Sequence, residues 1–421
     1  VEQMDGTTRT GAPDRSNAER RVLVLDEEIP WPLTTGKRIR TWNLLSALSS
    51  EFAIDLLVHD NGASEAALQA LAERDITVRV APSHLPLRRG PGLPVGIALS
   101  LCRRLPYSVY SHYRRAYQRE MLRLIDHNHY GLVHCEWTPY ALYLESCSLP
   151  VIIAAHNVEW RIWDRLAATE RRWAHRRLFA IQARLMRAFE CRVLQKARSV
   201  TAVSTGDAEA LRALGAPEVV EVPNGVDVAY YSPAPASAAG HTTLVFTGSM
   251  DWRPNQDAIR WFIDEVHPLL QRQTDYRLLV VGRQPPAWLT EPGQIPREVE
   301  VTGTVEDVRP WIARGSLFVV PLRAGGGSRL KILEAMAMAR PVVSTTVGAE
   351  GLELTEGVHV VRADTASDFA HAVAVLLRDP RRRAALADAG RRLVEERYSW
   401  SRIAPIQADV WRRAMPEGHS R

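Results

Sequence analysis

The sequence predicts two doubly wound α/β domains in one chain of 421 residues. Three observations carry that prediction. Short, continuously apolar, β-branched-rich runs recur between helical patterns, which is how strands of a parallel sheet covered on both faces read. The alternation breaks at a Pro/Ala/Ser stretch, Tyr230-Tyr-Ser-Pro-Ala-Pro-Ala-Ser-Ala-Ala-Gly240, and then restarts. The two series run for about 200 and about 160 residues, each the size of one domain.

Taken in order, residues 1–19 are polar and aperiodic and read as a disordered tail without the apolar core of a signal peptide. The first domain, 20–232, has expected strands at Arg21–Asp26, Ala53–Val58, Ile76–Val80, Leu132–Cys135, Val151–Ala155 and Ser199–Val203. Helical patterns lie between them, notably over 36–50 and the Arg-rich 161–197. A linker, 233–240, leads to the second domain, 241–398. Its expected strands are Leu244–Phe246, Leu278–Val281, Val299–Val301, Leu317–Val320, Val342–Ser344 and His359–Val361. The last segment, 399–421, holds a helical pattern from Trp400 to Met415 that is expected to cross back onto the first domain. Ligands of such sheets sit beyond the strand C-termini, so a cleft faced by both domains is the expected site.

Composition excludes several classes. With 46% hydrophobic and 24% charged residues the chain is neither disordered nor collagen-like. No apolar run approaches the roughly 20 residues of a membrane span. Four cysteines without CxxC spacing offer neither a disulfide framework nor a zinc knuckle, and fit a reducing compartment. The net charge of +5 is unevenly spread: residues 85–125 carry +7 and residues 161–198 carry +8, which leaves −10 for the rest. Only three of the 53 basic residues are lysines (Lys37, Lys196, Lys331), so the positive character is arginine. Such patches meet phosphate, in a nucleotide, a lipid headgroup or a nucleic acid. No nucleic-acid reading motif accompanies the charge.

The most informative stretch is Pro321-Leu-Arg-Ala-Gly-Gly-Gly-Ser-Arg-Leu-Lys-Ile-Leu-Glu-Ala-Met-Ala-Met-Ala-Arg-Pro-Val-Val343. An apolar strand runs into three glycines, and Ser328 is placed to cap a helix reaching Ala339. A glycine loop feeding a helix N-terminus offers free N–H groups and the positive end of the helix dipole to a phosphate. Lys331 and Glu334 stand three residues apart on one helix face, about 4.5 Å along the axis. There the lysine suits a phosphate oxygen and the carboxylate suits vicinal ribose hydroxyls. The plainer reading is a Gly-rich turn followed by a surface ion pair.

This segment resembles the donor-site loop and helix of family 4 retaining glycosyltransferases of the GT-B fold, in its exopolysaccharide-associated bacterial form Gly-Gly-Gly-Ser-Arg-Leu-Lys. The resemblance implies two Rossmann-like domains, a nucleotide diphospho-sugar donor and a hydroxyl acceptor. The family carries two glutamates separated by seven residues; Glu334 matches the second, which holds the ribose, and Gly326 stands where the first would be. Val222-Pro-Asn-Gly-Val-Asp227 with Tyr231-Ser-Pro233 matches the family's interdomain signature. At Phe246-Thr-Gly-Ser-Met-Asp-Trp-Arg-Pro-Asn255 the family has Gly-Arg and, six residues beyond that Arg, a Lys, the two cations of the diphosphate site. This chain has Gly248, Ser249 and Asn255 there. Arg253, with Arg329 or Lys331, is the expected replacement, since arginine grips a diphosphate bidentately; capping the loop is the alternative role for Arg253. Pro30-Trp-Pro-Leu-Thr-Thr-Gly36 resembles the family's glycine loop facing the diphosphate and acceptor. Ala155-His-Asn-Val-Glu159 resembles the strand end whose histidine, here His156, contacts the donor sugar. Val301-Thr-Gly-Thr-Val-Glu306 resembles the loop whose backbone, here at Gly303 and Val305, holds the nucleobase. Glu190, late in the Arg-rich helix, is expected to pair with a neighbouring arginine.

The resemblance thus assigns catalytic roles to His156, Lys331 and Arg253. It assigns donor binding to Gly36, Gly248, Ser249, Arg253, Gly303, Val305, Gly326, Gly327, Ser328, Arg329, Lys331 and Glu334. It implies no cofactor and no metal, matching a sequence without metal-ligand spacing. A nicotinamide dehydrogenase would need GxGxxG after the first strand, which here ends Asp26-Glu-Glu-Ile-Pro30. A catalytically inactive GT-B-like binding or scaffold protein is the alternative that Gly326 keeps open. Finally, the apolar run Gly92–Cys102 is bordered by Arg88-Arg89 and Arg103-Arg104, as in interfacial segments on anionic lipid. The expected partners are therefore a nucleotide sugar, a glycan or lipid-linked acceptor and an anionic membrane surface, with the protein cytoplasmic and peripheral on the inner membrane. A solvated arginine-rich face is the plainer alternative for those segments.

Overall fold

Buried, continuously apolar runs become the strands of two parallel sheets in the computed structural model, which describes residues 20–61, 64–85, 92–233, 242–324 and 329–416. The first sheet contains β1 (Arg21–Leu25), β2 (Ala53–His59), β3 (Ile76–Ala81), β4 (Leu132–Cys135), β5 (Val151–Ala155), β6 (Ser199–Ala202) and β7 (Val219–Glu221). Their order is β3-β2-β1-β4-β5-β6-β7. The second contains β8 (Thr243–Thr247), β9 (Arg277–Val281), β10 (Val299–Gly303), β11 (Leu317–Val320), β12 (Val342–Ser344) and β13 (Val360–Arg362), ordered β10-β9-β8-β11-β12-β13. Helices cover both faces, so Leu23, Leu25, Val133 and Ile153 meet Tyr117 and Phe189 in one core. In the other, Leu244, Phe246, Val280 and Val319 meet Phe262 and Phe369. The strand order reverses between β1 and β4 and between β8 and β11, and ligands of open α/β sheets bind at such switch points.

The chain divides into two compact units, one running through Val222 and resuming at Ala404, the other Pro223–Ile403. The segment following Pro223, grouped with the first domain by composition, is bound into the second unit. Val226 bridges to Ser399, and Arg391 donates to the Tyr231 carbonyl at 2.9 Å. A Cβ on Gly225 would stand 2.8 Å from Trp400 and Ile403, so the chain can pass there only as glycine. The closing helix, Trp400–Ala414, carries Trp411 into the first unit's core, edge-on to Phe52 with ring centroids 5.1 Å apart.

Three local features differ from expectation. Strand β7 is only three residues long, too short to show a period. The Arg-rich pattern over 161–197 is two helices, Glu159–Thr169 and Trp173–Leu194, broken where the Glu170 carboxylate accepts the Arg172 N–H. The donor-site helix spans Leu330–Ala337, short of the expected Ala339, and Arg329 at its N-cap makes no side-chain hydrogen bond; Ser328, the expected cap, lies outside the described residues.

Candidate functional site

In the second unit, the ends of β8 and β9 and the helix after β11 converge on the turn Gly248–Ser249. Burial of Val245, Phe246 and Val280 fixes the strands, and the first residues free of the sheet are glycines. A Cβ on Gly282 would stand 1.8 Å from the Gly248 carbonyl oxygen, so the two loops touch backbone to backbone. A Cβ on Gly248 would stand 2.8 Å from the Lys331 Nζ and 2.7 Å from the Asn255 amide nitrogen. Lys331 reaches this turn from the helix Leu330–Ala337, lies 4.3 Å from the centre of the Phe246 ring, and donates to the Asn255 Oδ1 at 3.0 Å. Asn255 in turn donates to the Ser249 carbonyl at 2.8 Å. From the β9 side, the Arg283 Nε donates to the Ser249 Oγ at 2.7 Å, while Ser249 donates to Asp251 at 2.5 Å. One turn along the helix from Lys331, Glu334 accepts from the Tyr231 hydroxyl at 3.1 Å.

The electrostatics follow from packing. Burial, helped by the neighbouring Arg329 charge, pushes the Lys331 amine down to about 7. Burial also raises the Glu334 carboxyl, against the pull of the Tyr231 hydrogen bond and Lys331. Tyr231 is held far above its ordinary value by burial and by the adjacent carboxylate. A half-buried amine and carboxylate thus share one helix face at the sheet's switch point, the amine pushed down and the carboxyl pushed up from their ordinary values.

Among the other expected residues of this unit, Arg253 begins the helix Arg253–Trp261, is exposed, and makes no hydrogen bond or ion pair among the described residues. Arg329 is buried and turned elsewhere, donating to the Val347 carbonyl at 2.8 Å and lying 3.6 Å from Glu350. Gly303 has φ +72, a left-handed conformation that selects glycine at a register shift between β10 and β9. Val305 follows in the same loop. Beyond it Arg309 pairs with Asp307 at 2.7 Å and lies 3.7 Å from the centre of the Tyr230 ring. Gly326, Gly327 and Ser328 lie outside the described residues. The geometry adds Arg283, Asn255 and Tyr231 to the residues expected from sequence. The sequence signal for Arg283 is the glycine directly before it, at the end of a buried strand.

In the first unit the helix Gly36–Leu48 starts at Gly36, after Thr35 caps it by accepting the Arg38 N–H. Lys37 pairs with Asp26 and, at 3.2 Å, with Glu27, both just past β1. From the same helix the Thr41 hydroxyl donates to Glu136 at 2.7 Å, just past β4. The His134 Nδ1 accepts from the Trp411 indole, so its Nε2 carries the proton and donates to Glu136 at 2.8 Å. His156 lies 2.6 Å through Nε2 from the Glu136 carbonyl, which can only accept, so its Nε2 carries a proton and donates. Burial lowers the His156 pKa against the pull of the Glu136 carboxylate. Burial alone would raise Glu136, but the hydrogen bonds from His134 and His156 hold it well below the ordinary value. Burial pushes Asp26 up to about 7 despite Lys37. Glu190, instead of pairing with an arginine, accepts the N–H groups of Glu159 and Trp160 at 3.0 Å each and so caps the helix Glu159–Thr169. No group of three or more His, Cys, Asp or Glu among the described residues is arranged to hold a metal ion.

Residues 65–230 match the family model described as Glycosyltransferase Family 4, and residues 241–379 match the one described as Glycosyl transferases group 1. Phosphatidyl-myo-inositol mannosyltransferase of Mycobacterium leprae is 31% identical over 203 residues, covering 46% of this chain and 53% of that one. The chain thus spans about half the length of the curated relatives it matches. Among solved structures, sucrose-phosphate synthase from Thermosynechococcus elongatus superposes with a TM-score of 0.68 at 16% identity, over 94% of this chain and 98% of that one. HepE of Anabaena, in complex with UDP and glucose, superposes with a TM-score of 0.63 at 14% identity, over 94% and 100%. The fold is GT-B: two Rossmann-like units with seven and six parallel strands.

Proposed function

We propose, from the premise that each half of the chain is a glycosyltransferase module, that the protein moves a sugar from a nucleoside-diphosphate sugar to a hydroxyl acceptor with retention. The observation that carries this reading is the Lys331–Glu334 helix face at the β8/β11 switch point, inside the segment matched by the group 1 glycosyltransferase model. The bond from the anomeric carbon to the diphosphate oxygen breaks, and the acceptor oxygen bonds that carbon on the same face. The acceptor proton leaves with the departing diphosphate. Negative charge gathers on the leaving group, and Lys331 is placed to stabilise it. Glu334 takes the ribose hydroxyls, with Tyr231 orienting it. By the resemblance, Gly303 and Val305 carry the nucleobase, and Gly36 and His156 serve the donor's diphosphate and sugar; the diphosphate role expected of Gly326, Gly327, Ser328, Arg329 and Arg253 rests on the sequence alone. The reading assigns the leaving-group charge to side chains and needs no metal or cofactor.

The acceptor class proposed is a glycan or lipid-linked alcohol of bacterial exopolysaccharide or other cell-surface assembly, met at the cytoplasmic face of the inner membrane. The relative named for phosphatidyl-myo-inositol supports a lipid acceptor. So do exposed Leu93, Val95 and Leu99 on the helix Gly92–Cys102, which is bordered by arginines. No helix among the described residues is long and apolar enough to cross a membrane, so association would be peripheral.

Release of nucleoside diphosphate from UDP-, GDP- and ADP-sugars, with glycan and polyprenyl-linked acceptors, tests the reading. Wild type turns over one donor, NMR of the product shows the anomeric configuration kept, and Glu334→Ala loses on the order of 100-fold in kcat/KM. A wild type as inert as Glu334→Ala with every donor would leave the inactive binding-protein reading standing instead.

A further inference from the structure

We infer that Arg283 is a diphosphate-binding residue, the second cation of this site; the inference rests on the donor-site reading above. Two cations flank the Gly248–Ser249 turn and come from elements far apart in the chain. Lys331 arrives from the helix after β11 and is held by Asn255. Arg283 arrives from the loop after β9 and is held by Ser249. Each is therefore seated on a neutral side chain, Asn255 or Ser249, that stands where the family carries a cation. The anchoring is tight. Gly282 and Gly248 touch through their backbones, and the Met250 N–H donates to the Arg283 carbonyl at 2.9 Å, so the base of the arginine is fixed to the turn it serves.

The direction of the side chain is set as well. Ser249 spends its hydroxyl proton on Asp251, so its oxygen can only accept from Arg283. With Nε occupied, the terminal nitrogens of the guanidinium stay open to solvent, and the side chain is 42% exposed. Asp251, 4.0 Å away, is the one carboxylate paired with it among the described residues. That distance holds the fork in place without a close neutralising contact. Arg329 spends its guanidinium on Val347 and Glu350, and nothing among the described residues orients Arg253. A point-charge ammonium on one side of a turn and an open planar fork on the other suit an anion with two adjacent phosphates.

Calorimetric titration of the full chain with UDP, GDP, ADP, uridine, guanosine and adenosine tests the assignment. Wild type is expected to bind one nucleoside diphosphate far more tightly than its nucleoside. Arg283→Ala should weaken the diphosphate by about 10-fold or more and leave the nucleoside unchanged. Arg283→Lys, which keeps the charge but not the fork and guards against a misfolded alanine variant, should lose a few-fold. Diphosphate affinity unchanged in both variants overturns the inference while the donor site stands. An equal loss of nucleoside and diphosphate also overturns it, by showing a structural role. A wild type that binds none of the six ligands overturns the donor-site reading and this inference with it.

Discussion

Lys331 joins the chemistry of this site to pH. Its amine titrates near 7 in the free protein because burial and Arg329 disfavour its charge. A bound diphosphate raises that value, so binding takes up a proton once the pH exceeds about 7. Below that pH the amine is already charged and contributes no slope; above it, affinity falls with each pH unit. Between pH 7 and 9, where the terminal phosphate is already ionised, the Kd for nucleoside diphosphate should rise by up to about 10-fold per unit. In Lys331→Arg, whose guanidinium stays charged, it should be nearly flat. Equal pH profiles for the two proteins would sink this account of the lysine. Lys331 and Glu334 were legible as a pair because a helix period places them on one face. Arg283 was not, because its importance comes from a backbone contact across two strands, and a sequence without spatial neighbours gives only the glycine before it.

Glu190 shows how an element depends on one side chain. The helix Glu159–Thr169 has Val158 at its N-cap, which offers no oxygen, and Glu190 supplies the acceptor from the next helix. Burial pushes this carboxyl up to about 8 even so. A carboxyl raised from its ordinary value of about 4.5 favours the fold at low pH, and that contribution is lost as pH climbs through 8. Glu190→Gln, which keeps one acceptor and does not titrate, should be less stable than wild type at pH 5. Its stability should fall less steeply between pH 5 and 8, by about 1.4 kcal/mol per pH unit. Parallel denaturation curves across that range would show that Glu190 stays ionised. The twelve strands expected from apolar runs all form, because parallel strands covered on both faces write their burial directly into composition. The break at Glu170 and the cap at Glu190 were hidden, because both depend on which carboxylate reaches which N–H.

At the scale of the whole molecule, the uneven charge gains a spatial meaning. The segments carrying +7 and +8 are separate in sequence, yet the Tyr107 N–H donates to the buried Gln182 Oε1 at 2.7 Å and joins them within the first unit. Exposed Leu93, Val95 and Leu99 on one segment and exposed Ile162, Leu166, Trp173 and Ile181 on the other stand among arginines. Arg103 lies over the Tyr110 ring at 5.3 Å and Arg177 over Trp173 at 5.7 Å, so cation and aromatic are paired on both segments. Apolar residues edged by arginine bind an anionic bilayer surface through two additive contributions, burial of the apolar tips and attraction to headgroups. Flotation with vesicles of phosphatidylglycerol and phosphatidylcholine separates them. Wild type should float with anionic vesicles, less so at high salt as screening removes the charge contribution. Arg172→Glu/Arg176→Glu should reduce flotation at low salt, and Val95→Ser/Trp173→Ser should reduce it at both salts. Flotation that ignores salt and all four substitutions, or no flotation at all, would mean that the arginines are only a solvated face and that the acceptor reaches the protein from solution.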